Sequence, residues 1–174
     1  MAITETERLL FRHFHIFDAD VMEDVFGDAE VMRFGDGVQN REWIENWLRR
    51  CLEQYYSDWG FGPWAVVEKE TQKLIGYCGL FYFPDICGSP EVEVGYRLVR
   101  RKWGQGFATE AASVVRDYAF EKLSLQRLIA LIDPENTASI RVAEKLGMIY
   151  EKDYMPPEYD YPDRVYAVKS NSFR

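Results

Sequence analysis

Histidine is almost missing from this chain of 174 residues, with His13 and His15 the only two. That scarcity argues against a histidine-built metal centre and against a Ser/His/Asp triad, both of which need imidazole. Cysteine is scarce too. Cys51, Cys78 and Cys87 cannot all pair within one chain, show no CxxC spacing and have no neighbouring histidine, so free thiols in a reducing cytoplasm are the expectation. No apolar run approaches the roughly 18 residues that a membrane span needs. The start, MAITETERLL, lacks the build of a signal peptide. Repeats, low-complexity tracts and Ser/Pro/Gly linkers are absent as well, so a single domain over residues 1–174 is expected. Positive charge is in deficit: 21 Lys+Arg stand against 29 Asp+Glu, for a net charge of -8. That balance argues against nucleic-acid phosphate as the main partner.

What is present is ordinary globular material, 47% apolar and 29% charged. An aromatic share of 16% favours a compact core or a ring-lined pocket. The charge is unevenly spread. RLVRRK, from Arg97 to Lys102, concentrates cations, whereas DYMPPEYDYPD, from Asp153 to Asp163, carries acids and no base. A basic spot on an acidic protein suits an anionic small molecule held in one place, and the overall charge leaves room for a cationic partner such as an amine or a basic peptide. Either cluster is equally what a solvated surface looks like.

The hydrophobic pattern gives a mixed α/β order. Arg8 to Phe17 reads as a strand with His13 and His15 on one half-exposed face. Ala19 to Phe26 reads as a helix, and so does Asn40 to Tyr56, where Trp43, Ile44, Trp47, Leu48 and Cys51 recur at helical spacing. Aromatics crowd its exit at Tyr55, Tyr56, Trp59, Phe61 and Trp64, as core residues or as part of a pocket mouth. Pro63–Lys69 and Lys73–Phe83 read as a hairpin, PDICGSP as a polar turn, and EVEVGYRLV (Glu91 to Val99) as an alternating strand with Glu91, Glu93 and Gly95 on one face. A helix over Phe107–Leu123 and a short buried strand over Arg127–Ile132 follow. Asn136 then caps a short helix that ends near Leu146 with Gly147 as its stop. The last strands fall near Met148–Lys152 and Arg164–Lys169.

Between strand and helix lies RKWGQGFATEA, residues 101–111. A strand that runs through glycines into a helix is a way to hold phosphate, because unpaired N–H groups face outward there and the helix dipole adds positive potential. Candidate donors are the N–H groups of Gly104, Gln105, Gly106, Phe107, Ala108 and Thr109, with the Thr109 hydroxyl besides. Arg100, Arg101 and Lys102 supply countercharge. No Gly-Lys-Ser/Thr follows, so the Walker pattern is absent, and Thr109 takes the third glycine place of the dinucleotide fingerprint. On spacing alone a structural turn remains open.

Trp103-Gly104-Gln105-Gly106-Phe107-Ala108 resembles motif A of the GNAT superfamily of acyl-CoA-dependent N-acyltransferases. Tryptophan at its first position is similar to the RimJ/RimL-like branch, the ribosomal-protein N-terminal acetyltransferases. TERLLFR (Thr6 to Arg12), EVGY (Glu93 to Tyr96), ATEA (Ala108 to Ala111) and ENTASIRVAEKLGM (Glu135 to Met148) match that branch in order along nearly the whole chain. The resemblance implies a twisted mixed sheet flanked by helices, whose two central strands splay apart to admit acetyl-CoA. It further implies a pantetheine arm bonded in strand fashion near Leu98 and Val99, pyrophosphate on the glycine loop, and Asn136 and Ser139 approaching the pantetheine end from across the opening.

An acetyl thioester is already activated, so transfer to an amine needs proximity, a neutral amine and a stabilised oxyanion. Glu93 is the candidate base, with Glu91 on the same face as alternative and a structural carboxylate as the plain reading. Backbone N–H near Leu98 would polarise the carbonyl. The superfamily's motif B tyrosine, the familiar general acid, is replaced here by Ala143. Ser139 is a possible substitute, though helix capping or coenzyme binding explains it as well. The helical 43–64 segment and the acidic loop with Tyr154, Tyr159 and Tyr161 would flank an acceptor entrance suited to a cation. The expectation is an acetyl-CoA-dependent N-acetyltransferase, monomeric or homodimeric, acting on a protein or peptide α-amine. The alternatives are a small-molecule amine as acceptor (polyamine or aminoglycoside-like) and a non-catalytic acyl-CoA sensor.

Overall fold

The structure is a computed structural model that describes residues 2–157 and 160–173. In chain order its elements are β1 (Ala2–Glu5), β2 (Leu9–Arg12), α1 (Ala19–Phe26), α2 (Arg41–Arg50), β3 (Pro63–Glu68), β4 (Lys73–Ile86), β5 (Ser89–Leu98), α3 (Phe107–Glu121), β6 (Arg127–Ile132), α4 (Thr137–Lys145), β7 (Ile149–Tyr154) and β8 (Asp163–Lys169). The strands form one sheet in the order β1-β2-β3-β4-β5-β6-β8-β7. Every neighbouring pair is antiparallel except β5 and β6, which run parallel and share one register pair, Glu93 with Ile129. All other pairs in the sheet are in register over longer runs. The central strands therefore meet at mid-strand and splay beyond Glu93, as the resemblance implies.

Directly opposed residues share a face, which sorts the core. Trp64, Cys78 and Tyr96 are opposed across β3, β4 and β5, and the Trp64 ring meets Tyr118 of α3 edge-on at 5.2 Å. On the other face Tyr77, opposed to Arg97, stacks on Phe26 of α1 at 5.8 Å and lies 5.3 Å from Trp47 of α2. The α3 stripe Ala111, Ala112, Val115 and Ala119 is buried. Small side chains there let the helix lie close to the sheet. α1 and α2 bring bulkier groups to the opposite layer, including Met22, Phe26, Ile44, Trp47 and Leu48.

Several boundaries differ from the sequence reading. His13 and His15 lie beyond the end of β2 and are exposed, because the chain turns there and Arg12 bonds Asp18 at 2.8 Å on both guanidinium nitrogens. His13 instead stacks on Tyr56 at 4.0 Å. The expected helix over 40–56 is α2, capped by Asn40 on the Trp43 N–H, followed by a π-helical segment over Cys51–Trp59 that stops at left-handed Gly60. PDICGSP is not a broad turn. β4 continues to Ile86, and the reversal is confined to Cys87 and Gly88, both at positive φ. Edge strand β1 was not expected.

Gly79 is set by close approach. An added Cβ would lie 2.2 Å from the Gly62 carbonyl oxygen and 2.6 Å from Pro63 Cα, backbone atoms that cannot swing away. Gly79→Ala is accordingly expected to lose about 1–3 kcal/mol of stability, read as a lower urea midpoint at unchanged m-value.

Candidate active site

The glycine loop follows β5 by way of a single 3-10 turn, Arg100–Lys102. Gly104 and Gly106 take φ of 71° and 82°, left-handed values that a side chain resists, and Gly106 is the N-cap of α3. Helical bonding resumes with Glu110 N–H on the Gly106 carbonyl at 3.1 Å. Among the described residues, no carbonyl or side chain accepts from the N–H groups of Gly104 through Thr109. Residues 103–106 are exposed, so that row of donors at the positive end of a 15-residue helix is open to an anion.

The strand before the loop offers donors of its own. Val99 N–H bonds back to Ile75 on β4 at 2.8 Å. Alternation along the strand then turns the N–H and C=O of Leu98 the other way, into the β5–β6 opening. Trp103, 47% exposed, folds back so that its indole N–H donates to the Leu98 carbonyl at 2.9 Å. Its place in the loop thus has a structural reason, closing the 3-10 turn onto the strand.

The expected cations are partly engaged elsewhere. Lys102 Nζ bonds both oxygens of buried Glu68, at 2.7 and 2.8 Å, and Arg101 bonds Asp24 of α1 at 2.9 Å. Arg100 is exposed. A cation that the sequence reading missed, Arg8, lies over the loop instead. It donates to the Gln105 carbonyl at 3.0 Å and to Glu110 at 2.7 Å, and sits 4.2 Å above the Phe107 ring. Arg8 thereby ties the Gln105 carbonyl to the start of β2. The pairing spans 97 residues of sequence, and no local pattern signals it.

Glu93 stands at the apex of the splay. Its carboxylate accepts from Leu131 N–H of β6 at 3.1 Å, filling the place where the next β5–β6 rung would be. Burial pushes this carboxyl up to about 7; the Leu131 N–H and the Arg97 guanidinium pull it down, and Asp163 pushes it further up. Arg97, four residues along on the same face, donates to the Tyr77 hydroxyl at 3.0 Å and to the Phe34 carbonyl at 3.1 Å. Glu91 is paired with Arg127 at 3.0 Å, and Arg127 also bonds Glu151 of β7 at 2.7 Å. That network tacks together the closed end of β5 and β6, so Glu91 is committed to structure.

The opposite face of the opening carries hydroxyls. Asn136 accepts from Ser139 N–H at 3.1 Å as the α4 cap. The Tyr96 hydroxyl donates to Ser139 Oγ at 3.2 Å, crossing from β5 to α4. Ala143, one helical turn beyond Ser139, is buried.

On the Glu93 face, rings gather beside the carboxylate. Phe81, directly opposed to Glu93, lies 6.0 Å from Tyr55; Tyr55 meets Trp59 at 5.2 Å, and Trp59 meets Tyr82 at 5.3 Å. Phe61 and Trp64 are buried in the core. Tyr154 closes a small apolar cluster with Ile129, Val165 and Ala167, while Tyr161 is exposed and Tyr159 lies outside the described residues.

The Glu93 carboxyl makes a direct prediction. A carbon-13 titration of the labelled protein should show one glutamate carboxyl with a midpoint near 7 that vanishes in Glu93→Gln. A Glu93 midpoint at the ordinary value of 4.5 would contradict the buried geometry.

Comparison with known proteins gives this arrangement a family. Residues 8–149 match the family described as Acetyltransferase (GNAT) domain. The chain is 39% identical over 150 residues to the uncharacterized protein YkkB of Bacillus subtilis (strain 168), covering 84% of this chain and 83% of that one. It is 34% identical over 161 residues to the uncharacterized N-acetyltransferase p20 of Bacillus licheniformis, covering 89% and 85%. A GNAT-family acetyltransferase structure from Bacillus anthracis superposes with a TM-score of 0.81 at 29% identity, over 98% of this chain and 99% of that one. With its splayed mixed sheet, its glycine loop at the mouth of α3 and a family match over most of its length, this chain belongs to the GNAT acetyltransferases.

Proposed function

We propose that the protein transfers an acetyl group from acetyl-CoA to a primary amine, with a peptide or protein α-amine, as in the RimJ/RimL-like branch, the leading acceptor class. The observation that carries this reading is a carboxyl held near neutrality at one end of an opening whose other end is a row of free N–H groups. Acetyl-CoA, when bound, supplies an activated thioester. Gly104 through Thr109 would hold its pyrophosphate. The Leu98 backbone would pair with the pantetheine arm, and a backbone N–H near it, closer to the apex, would polarise the thioester carbonyl. Asn136 and Ser139 would border the arm from α4.

Glu93 then receives the proton that the amine loses. An α-amine of pKa about 8 is roughly a tenth neutral at pH 7, whereas a lysine amine of about 10.4 is far less so. A carboxyl titrating near 7 matches the first better. The rings of Tyr55, Trp59 and Phe81 beside it suit a cationic acceptor on its way to deprotonation.

The test is a titration of acetyl-CoA, with ATP and NAD as controls, followed by thiol release against peptides with free N-termini, polyamines and aminoglycosides. Peptide-dependent release supports the reading. Release with small amines alone moves the acceptor to that class, and binding without acceptor-dependent release makes the protein a sensor. Gly106→Val should weaken acetyl-CoA binding at least tenfold, since a β-branched residue resists φ near 82°; equal affinity would remove the phosphate role of the loop. Glu93→Gln should lower kcat by about 100-fold at unchanged acetyl-CoA affinity. The wild-type rate should fall as pH drops through about 7, where the carboxyl takes its proton and can no longer act as base.

A further inference from the structure

We propose that Tyr96 is the hydrogen-bond donor to the departing coenzyme A sulfur, oriented by Ser139, and that it fills the place left by Ala143. The proposal rests on the acetyltransferase reading above and starts from the β5–β6 opening.

A ligand arm held at Leu98, with its phosphates on residues 104–109, has its reacting end toward Glu93. Leu98 and Glu93 are five residues apart, and Tyr96 lies between them on the same strand. With about 3.3 Å of strand per residue, Tyr96 is about 7 Å from Leu98, where the end of such an arm passes. Its ring lies on the α3 and α4 side, and Glu93 on the other. The two groups thus address a bound thioester from opposite faces, the amine side and the leaving-group side.

The hydroxyl is also where the helix motif would put one. Ser139 and Ala143 are four apart on α4 and share a face. Side chains on a helix lean toward its N-terminus, so a tyrosine at position 143 would reach back over Ser139. Ala143 has nothing to offer there, but the Tyr96 hydroxyl arrives from β5 at 3.2 Å from Ser139 Oγ. The phenol therefore comes to this spot from the strand in place of the helix.

Two hydroxyls in contact can reverse their bond. With Ser139 donating to the Tyr96 oxygen, the Tyr96 O–H is released toward the opening. Burial pushes Tyr96 up to about 12, with the Ser139 bond opposing, so the phenol keeps its proton throughout the working range. A thiol of pKa about 8.5 is the stronger acid, so Tyr96 stabilises the thiolate without surrendering its proton. In the step, the amine nitrogen bonds the acetyl carbon and the C–S bond breaks with its electron pair on sulfur. Glu93 takes the amine proton, and the sulfur regains one from water after leaving.

The test reads binding, not turnover. Calorimetry compares CoA with acetyl-CoA at pH 7 and pH 9.5 on the wild type, Tyr96→Phe and Ser139→Ala. A donor that lowers the bound thiol's pKa by one unit raises CoA affinity relative to acetyl-CoA by about five- to tenfold over that interval. Glu93 titrates alike in the wild type and in Tyr96→Phe, so the difference between these two proteins isolates the phenol. Cys78, opposed to Tyr96 on β4, is held well above this window by burial. The expected result is a rise in the wild type, none in Tyr96→Phe and a smaller one in Ser139→Ala, with acetyl-CoA still bound by Tyr96→Phe. A rise that survives in Tyr96→Phe overturns the proposal, as does no rise in the wild type. Loss of acetyl-CoA binding in Tyr96→Phe also overturns it, because the pair is then only a strut. Failure of the wild type to bind acetyl-CoA at all is distinct and removes the underlying reading as well.

Discussion

One unfinished ladder governs this molecule. β5 and β6 share a single register pair, Glu93 with Ile129, and beyond it the backbones diverge in the middle of an otherwise continuous sheet. Buried backbone groups must find partners, so an interrupted ladder in a core is costly unless something else completes it. At Leu131 a side chain does so. The Glu93 carboxylate takes the Leu131 N–H on one face, and the Tyr96–Ser139 contact spans from β5 to α4 on the other. The closed end is tacked by Arg127 between Glu91 and Glu151.

The opening is what makes the rest consistent. A peptide-like arm can complete a strand edge only if N–H groups such as that of Leu98 face into a gap. An anion at its far end needs donors that no helix turn has consumed, which positive-φ glycines at the mouth of α3 provide. The same gap sets the electrostatics. A carboxyl that fills a missing rung is necessarily desolvated, and the desolvation lifts Glu93 into the range where it can exchange a proton at neutral pH.

Much of the fold was legible because period and punctuation agree. Phe107 to Glu121 shows a small-residue stripe after a glycine, β6 is a short apolar run before Asp-Pro, and Asn136 caps α4 as its position suggests. The loop after β5 was legible from Gly104 and Gly106. What stayed hidden rests on long-range contact. Arg8 reaches Gln105 across the fold, Lys102 turns to Glu68, and Arg97 bridges to Phe34. The π-helical stretch over Cys51–Trp59 likewise left no periodic trace distinct from an ordinary helix. Tyr96 looked like one more apolar member of an alternating strand, because the hydroxyl partner that distinguishes it lies on a helix 43 residues away.

The most direct measurement is a crystal structure of the protein with coenzyme A. Phosphate oxygens within hydrogen-bond distance of the N–H groups of Gly104 through Thr109, with a pantetheine amide paired to Leu98 between β5 and β6, are the expected result. Coenzyme A seated elsewhere, or β5 and β6 zipped into a complete ladder, would contradict the claim that the opening is the binding site.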